Sequence, residues 1–476
     1  MVDELTSGGA EYNTGVGLRL SGVLDFDALR VVLDALVSRH ESLRTTFDSV
    51  DGHGVQTVAA RGEIPLRTVD LSTRDQDERD SAVDQALAEE LSNPFDLRRG
   101  PLTRAVLVRL AEDDHVLLLN QHHIVTDGWS HEVLMDEFAT LYAAAGGAPV
   151  ELPELPIQYP DFAVWQRERL SSPALEPHLD YWRHKLAGIE TLELPTDRPR
   201  PYLRTTAGAV HRQDLPADLV QALTGVARTH RATLFMTLTV AVQVLLSRYS
   251  SQQDVAIGTV TSGRNRAELE KLVGFFVNTI ILRSTVNGLR TFSELVTEVR
   301  ETVLEAFAHD DVPFDRLVKE LQPERDPSRN PLVQAMVLLQ NARLRPREID
   351  GLHITEHDLP RHTARFDLVV EFLPQDDSLN MAIEYNTDLF DPDTIERMAG
   401  HLQRLLAGIA ADPDRPVGEL AMMSDAERHQ VLEAWNDTDR EIAAVTLPEL
   451  FAAQVARTPD ATAVVFEGAG LSYAEL

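Results

Sequence analysis

The chain has 476 residues, 43% hydrophobic and 25% charged, and is too long for one hydrophobic core, so two or three domains are expected. Its 44 Lys and Arg against 76 Asp and Glu leave a formal charge of −32, which argues against a nucleic-acid groove and against docking on an anionic membrane. With no cysteine there are no disulfides, no thiolate metal site and no thioester on the chain's own side chains, which fits a reducing interior.

Met1-Val2-Asp3-Glu4-Leu5 has no basic stretch followed by an apolar one, so no signal peptide is expected there. Thr14 to Leu20 alternates like a half-buried strand. Asp25 then precedes a segment whose Leu29, Val32, Leu33, Leu36 and Val37 recur at helical spacing. That helix runs into Arg39-His40-Glu41-Ser42-Leu43-Arg44-Thr45-Thr46-Phe47, where β-branched residues restart a strand, and Asp51-Gly52-His53-Gly54 signals a hairpin. A polar helix is predicted from about Asp75 to Leu91. Two strands, Leu102 to Leu110 and Val116 to Ile124, flank the Glu112-Asp113-Asp114 turn.

The second of these strands delivers Gln121-His122-His123-Ile124-Val125-Thr126-Asp127-Gly128-Trp129-Ser130 to a strand-to-helix turn, a place where folds put chemistry. Neighbouring strand side chains point to opposite faces, so one histidine faces a substrate and the other packs. Asp127 could accept from an imidazole, pair with an arginine or cap the helix, and Gly128 lets a backbone N–H approach a ligand. An imidazole beside a backbone N–H suits acyl transfer. A purely structural histidine pair is the competing reading for a chain with 16 histidines. Metal binding is disfavoured, because no third ligand lies at chelating spacing. There is also no Gly-x-Ser-x-Gly elbow, no Walker loop and no dinucleotide fingerprint.

Beyond that helix, Ala143 to Asp161 is small and Pro-rich, which marks a lobe boundary. A second lobe follows, with a strand at Val210 to Leu215, a helix from Pro216 to His230, a buried helix from Thr233 to Arg248 and a strand at Asp254 to Thr259. Its longest apolar run, Ala232 to Leu246, falls short of the ~20 residues needed to span a bilayer, so a cytoplasmic location is the default expectation. Ser378 to Asp391, followed by Ile395, Met398, Leu402, Leu405 and Leu406, repeats the strand–turn–helix layout without the histidines. From about Ser424 the composition changes. A polar helix at Ala426 to Asn436 and a linker at 437–439 precede a new amphipathic segment from Leu447.

His122 to Gly128 reads HHxxxDG, and its companions are Arg39 to Phe47 (RHExLRTxF), Tyr159 to Trp165 (YxDFAVW) and Val273 to Thr279 (VGxFVNT). His309 to Asp315 (HQDxPFE) and Arg325 to Leu332 (RDxSRNPL) complete the set, in this order. Together these resemble the condensation domains of nonribosomal peptide synthetases, relatives of chloramphenicol acetyltransferase. Leu471-Ser472-Tyr473-Ala474-Glu475-Leu476 is similar to the LSYxEL opening of an adenylation domain. The resemblance implies an α/β fold with mixed sheets, in which two acetyltransferase-like lobes form a V around a tunnel. It assigns 1–165 to the N-lobe, 166–425 to the C-lobe, and 426–476 to a linker and the beginning of an adenylation domain. The family's SxAQxRLWF-like first motif does not precede Val2, so an N-terminal truncation is expected.

By this resemblance donor and acceptor peptidyl carrier domains present thioesters on their phosphopantetheine arms, with no cofactor on this chain, and the acceptor amine attacks the donor carbonyl. His123 is the general base or positioning group, and His122 packs behind it. Asp127 pairs with an arginine, for which Arg39 and Arg44 are the candidates, and the Gly128 N–H faces the thioester carbonyl. Gly274, Phe276, Asn278 and Thr279 belong to a floor loop crossing between lobes. Trp129 and Phe275 to Thr279 look like the subtype joining an L-donor to an L-acceptor. The alternatives are an epimerisation domain of the same fold, which has a GWFT-like segment in place of Gly274-Phe275-Phe276-Val277, and a non-catalytic recruitment module.

Overall fold

The computed structural model describes residues 9–147, 152–323, 326–340, 346–349, 351–440 and 444–476. The expectations for Met1 to Leu5 and for Arg325 lie outside the described residues. The chain divides into a large unit, residues 1–422, and a small one, residues 423–476.

In chain order the strands of the large unit are β1 (Asn13–Ser21), β2 (Thr45–Val50), β3 (His53–Val58), β4 (Leu66–Asp70), β5 (Thr103–Ala111), β6 (Asp114–His122) and β7 (Gly208–Leu215), then β8 (Asp254–Thr261), β9 (Asn278–Thr285), β10 (Ala335–Leu339), β11 (Arg347–Ile349), β12 (Leu352–His357), β13 (Leu368–Gln375) and β14 (Ser378–Asn386). They form two six-stranded mixed sheets, ordered β11-β12-β1-β6-β5-β4 and β7-β14-β13-β10-β8-β9, beside the β2–β3 hairpin. The first sheet runs antiparallel except where β4 meets β5, while β10 lies parallel to both β13 and β8.

The division into lobes at residue 165 needs one correction. Strands β11 and β12 come from the later half of the chain yet complete the first sheet, β12 lying antiparallel on β1 from Gly17↔His357 to Ser21↔His353. A strand at a sheet edge leaves a row of unpaired backbone groups, and β12 supplies partners for those of β1.

Helix Phe26–Arg39 forms where Asp25 caps the first turn, accepting from the Asp27 and Ala28 amides, and its apolar stripe of Leu29, Val32, Leu33 and Leu36 is buried. It packs with helix Gly128–Ala145 on one face of the first sheet, and helix Gln76–Ser92 covers the other face. In the second sheet β13 alternates, with Leu368, Val370 and Phe372 entering the core while Val369, Glu371 and Leu373 line a cavity. β14 follows the same rule. Its Leu379, Met381 and Ile383 are in the core, and Ala382 and Glu384 face the cavity. Helix Leu234–Ser250 runs through that core with Met236 to Ser247 all buried, as its apolar run, interrupted only by threonines and Gln243, suggested. No single helix among the described residues is long and apolar enough to cross a membrane.

The small unit contains helices Asp425–Leu432 and Leu447–Arg457 and a two-stranded sheet of Thr462–Phe466 with Ala469–Ser472. Its Phe466, Val465 and Leu447 are 73%, 68% and 82% exposed, so it buries little of its apolar surface.

Candidate active site

Strand β6 ends at His122, and a 3-10 turn of His123–Val125 follows at once. The two imidazoles diverge because the chain leaves the strand between them. They are also opposite tautomers. His122 Nδ1 accepts the Ile124 amide at 3.1 Å, so its proton sits on Nε2. Its ring is buried, tilted against Tyr12 and edge-on to Phe95. His123 Nδ1–H donates to the Thr126 carbonyl at 2.8 Å, which leaves the Nε2 lone pair free for a substrate. Phe275 meets the His123 ring edge-on, with centroids 5.2 Å apart.

Burial, reinforced by the Arg365 charge, pushes the His123 imidazole down to about 3 and that of His122 to about 4. Both rings are neutral at neutral pH. His123 is therefore a hydrogen-bond acceptor of low basicity.

Asp127 ends the turn and caps helix Gly128–Ala145, its Oδ1 accepting from the Ser130 amide at 2.7 Å. The carboxylate is 0% exposed. Its partner is Arg264, neither Arg39 nor Arg44. Arg264 Nη2 lies 3.0 Å from Oδ1, and the Phe276 amide donates to Oδ2 at 3.0 Å. Arg264 Nη1 also donates to the Leu269 and Leu272 carbonyls at 2.6 and 2.8 Å, and its guanidinium lies over the Phe276 ring. Arg39 instead holds Glu137 Oε1 at 3.0 Å, a residue about 15 Å farther along the helix at 1.5 Å per residue. Arg44 serves the Ala59 carbonyl and Glu41. The only local hint of Arg264 was an arginine in a Gly-containing turn directly after a strand, since its partner lies 137 residues away.

The segment carrying Gly274 and Phe276 is pinned to this turn. Trp129 Nε1 donates to the Glu270 carbonyl at 2.9 Å and Tyr159 Oη to the Phe275 carbonyl at 2.8 Å. Gly274 is required here, because a Cβ would stand 2.1 Å from Tyr159 Cδ2. At Gly128 a Cβ would meet nothing within 4 Å, so that position opens on free space. Asn278 ties the segment to the next motif. Its Nδ2 donates to the Asp310 and Val312 carbonyls at 2.8 and 2.7 Å, and its Oδ1 accepts the Phe314 amide at 3.0 Å. Thr279 pairs with Val260 across β8–β9. His122, His123, Gly128, Phe276, Asn278 and Thr279 all line one cavity of about 3200 Å³, to which both sheets contribute. Among the described residues no group of three or more His, Asp or Glu is arranged to hold a metal ion.

This arrangement leaves one imidazole nitrogen unengaged beside a large cavity lined by both sheets. The family profile described as "Condensation domain" matches residues 1–432. The chain belongs to the condensation-domain family, whose members are amide-forming acyltransferases of nonribosomal peptide synthesis. It is 42% identical over 480 residues to a linear gramicidin synthase of Brevibacillus parabrevis, covering 100% of this chain and 6% of that protein. It is 39% identical over 478 residues to tyrocidine synthase 3 of the same organism, covering 100% of the chain and 7% of that protein. The chain thus spans under a tenth of these relatives' length. Among solved structures, the X-domain from teicoplanin biosynthesis superposes with a TM-score of 0.78 at 28% identity, over 87% of this chain and 93% of that one. A four-domain nonribosomal peptide synthetase, AB3403, superposes at 0.88 with 22% identity over 100% of this chain and 37% of that one, a likeness of fold. The condensation domain is thus a mixed α/β fold of the chloramphenicol acetyltransferase type.

Proposed function

We propose that this condensation domain joins the acyl or peptidyl group of a donor thioester to the amine of an acceptor aminoacyl thioester. Both substrates arrive on phosphopantetheine arms of carrier domains, so the prosthetic group belongs to the partners. The observation that carries this reading is the His123 Nε2 lone pair, left free in a cavity lined by both sheets because Nδ1–H is committed to Thr126.

Nε2 accepts an N–H of the neutral acceptor amine and points the nitrogen lone pair at the donor carbonyl. The C–N bond forms as the C–S bond breaks, and the proton lost by the amine passes by way of Nε2 to the departing thiolate. With an imidazole held at about 3, orientation of the amine outweighs proton abstraction before attack. Gly128, with open space at its Cβ position, leaves its N–H approachable by the developing oxyanion. Trp129 and Phe275 to Thr279 support an L-configured donor and acceptor, and Leu471 to Leu476 supports an adenylation domain as the downstream neighbour in a cytoplasmic synthetase.

The test loads two carrier domains with aminoacyl-phosphopantetheine, adds the protein and follows dipeptidyl-carrier product by intact-protein mass spectrometry. Product from wild type and at least about a hundredfold less from His123→Ala is expected. Absence of product with every pair tried, or unchanged product from His123→Ala, would overturn the reading in favour of an epimerising or recruiting domain.

A further inference from the structure

The Asp127–Arg264 pair accounts for the turn without explaining Ser130. That side chain is 0% exposed, at a helical position where serine has no propensity advantage. Its Oγ lies 3.1 Å from the Gly274 amide nitrogen, 2.9 Å from the Gly274 carbonyl, 2.8 Å from Arg264 Nη2 and 2.7 Å from Asp127 Oδ1. A hydroxyl has one proton and two lone pairs. The Gly274 N–H and Arg264 fill the lone pairs. The proton faces two acceptors, Asp127 Oδ1 at 2.7 Å and the Gly274 carbonyl at 2.9 Å, and is shared between them. One hydroxyl therefore accepts the Gly274 N–H and lies within hydrogen-bond distance of the Gly274 carbonyl, across 144 residues of sequence.

Gly274 precedes Phe275, whose ring stands edge-on to His123 at an interplanar angle of 86°. Phe276 is fixed on the other side through its amide to Asp127. The imidazole is held from Nδ1–H to the Thr126 carbonyl, a contact about which a ring can still tilt, and the partly exposed Phe275 ring standing against it limits that tilt. We propose that Ser130 is a positioning residue for condensation, acting through Gly274 to hold Phe275 against His123 and so fix the direction of Nε2. This rests on the amide-forming reading above.

The test is a double-mutant cycle on dipeptide formation. Ser130→Ala and Phe275→Leu are each expected to lower kcat at least about tenfold, with KM for either carrier changed by less than about threefold, as misplacement of a reactive group does. Their combination should be no worse than about twofold below the weaker single variant. Multiplying losses, or a Ser130→Ala loss that follows only the folded fraction, would overturn the proposal. If Ser130→Ala does not fold, Ser130→Cys fills the site with a much weaker donor and should show the same split between kcat and KM. A readout independent of turnover is ¹⁵N-histidine NMR. The His123 ring signals are expected to shift in Ser130→Ala as they do in Phe275→Leu, and unchanged signals would overturn the proposal. Absence of product from wild type would sink the amide-forming reading and leave the NMR comparison to decide the role of Ser130.

Discussion

Arg264→Ala removes the counter-ion of a carboxylate that has no exposure to water. Breaking a buried pair from one side costs about 3–5 kcal/mol, because the remaining charge is stranded in a low-dielectric site. The Leu269 and Leu272 carbonyls lose their donor as well. For the 422-residue unit, an unfolding entropy of about 2.1 cal/mol/K per residue gives roughly 0.9 kcal/mol/K, so a loss of about 4 kcal/mol lowers Tm by about 4–5 °C. Asp127→Ala should cost a similar amount, since it strands Arg264 and also removes the helix cap and the Phe276 contact. Removing both partners leaves no stranded charge. The double variant should therefore fall short of the sum by about 1.5–3 kcal/mol, measured by urea unfolding. The same cycle between Asp127 and Arg39 should show coupling within about 0.5 kcal/mol, because Arg39 serves Glu137. Additive losses for Asp127 and Arg264, or strong coupling of Asp127 to Arg39, would refute the assignment.

His123→Ala should reduce dipeptide formation by about 10²- to 10⁴-fold while Tm stays within about 1 °C, checked by mass spectrometry and calorimetry. The folded imidazoles of His122 and His123 are held at about 4 and about 3 against an ordinary 6.5, by burial and the Arg365 charge. Their unfolded counterparts gain protons first as pH falls. Stability from this source is therefore intact above about pH 6.5 and lost progressively from there to about pH 4 for His122 and about pH 3 for His123, a slope that a pH series of urea midpoints should show and His122→Asn should reduce. For the same reason the condensation rate should show no imidazole titration between pH 5.5 and 7.5, and a step at 6.5 abolished by changes at His123 would contradict this. Gly274→Ala should destabilise by about 1–3 kcal/mol through its clash with Tyr159. Gly128→Ala should fold normally and lose turnover, a contrast read by paired melting and kinetic measurements.

Periodicity located the elements. The stripe from Leu29 to Val37 and the length of the run from Ala232 to Leu246 suit helices, and the alternation at Thr14 to Leu20 suits a strand, whose glycine face is closed by helix Gln76–Ser92. The histidine motif was legible for the same reason, since a strand running into a polar turn is written within ten residues. Local spacing carries no information about what meets across the fold. The Arg264 partner of Asp127, the Ser130 contact with Gly274, the Phe275 edge on His123 and the return of β12 to the first sheet join residues more than 100 positions apart. Arg39 was a reasonable partner for Asp127 by sequence, yet the helix that carries Asp127 places Glu137 beside it instead. The opposite tautomers of His122 and His123 were decided locally, by the 3-10 turn, which gives one ring an N–H to accept and the other a carbonyl to donate to. The residues and their order thus determined the elements and the motif, and the local turn fixed which nitrogen of His123 is left free, whereas tertiary packing decided which charge answers Asp127 and which ring stands against His123.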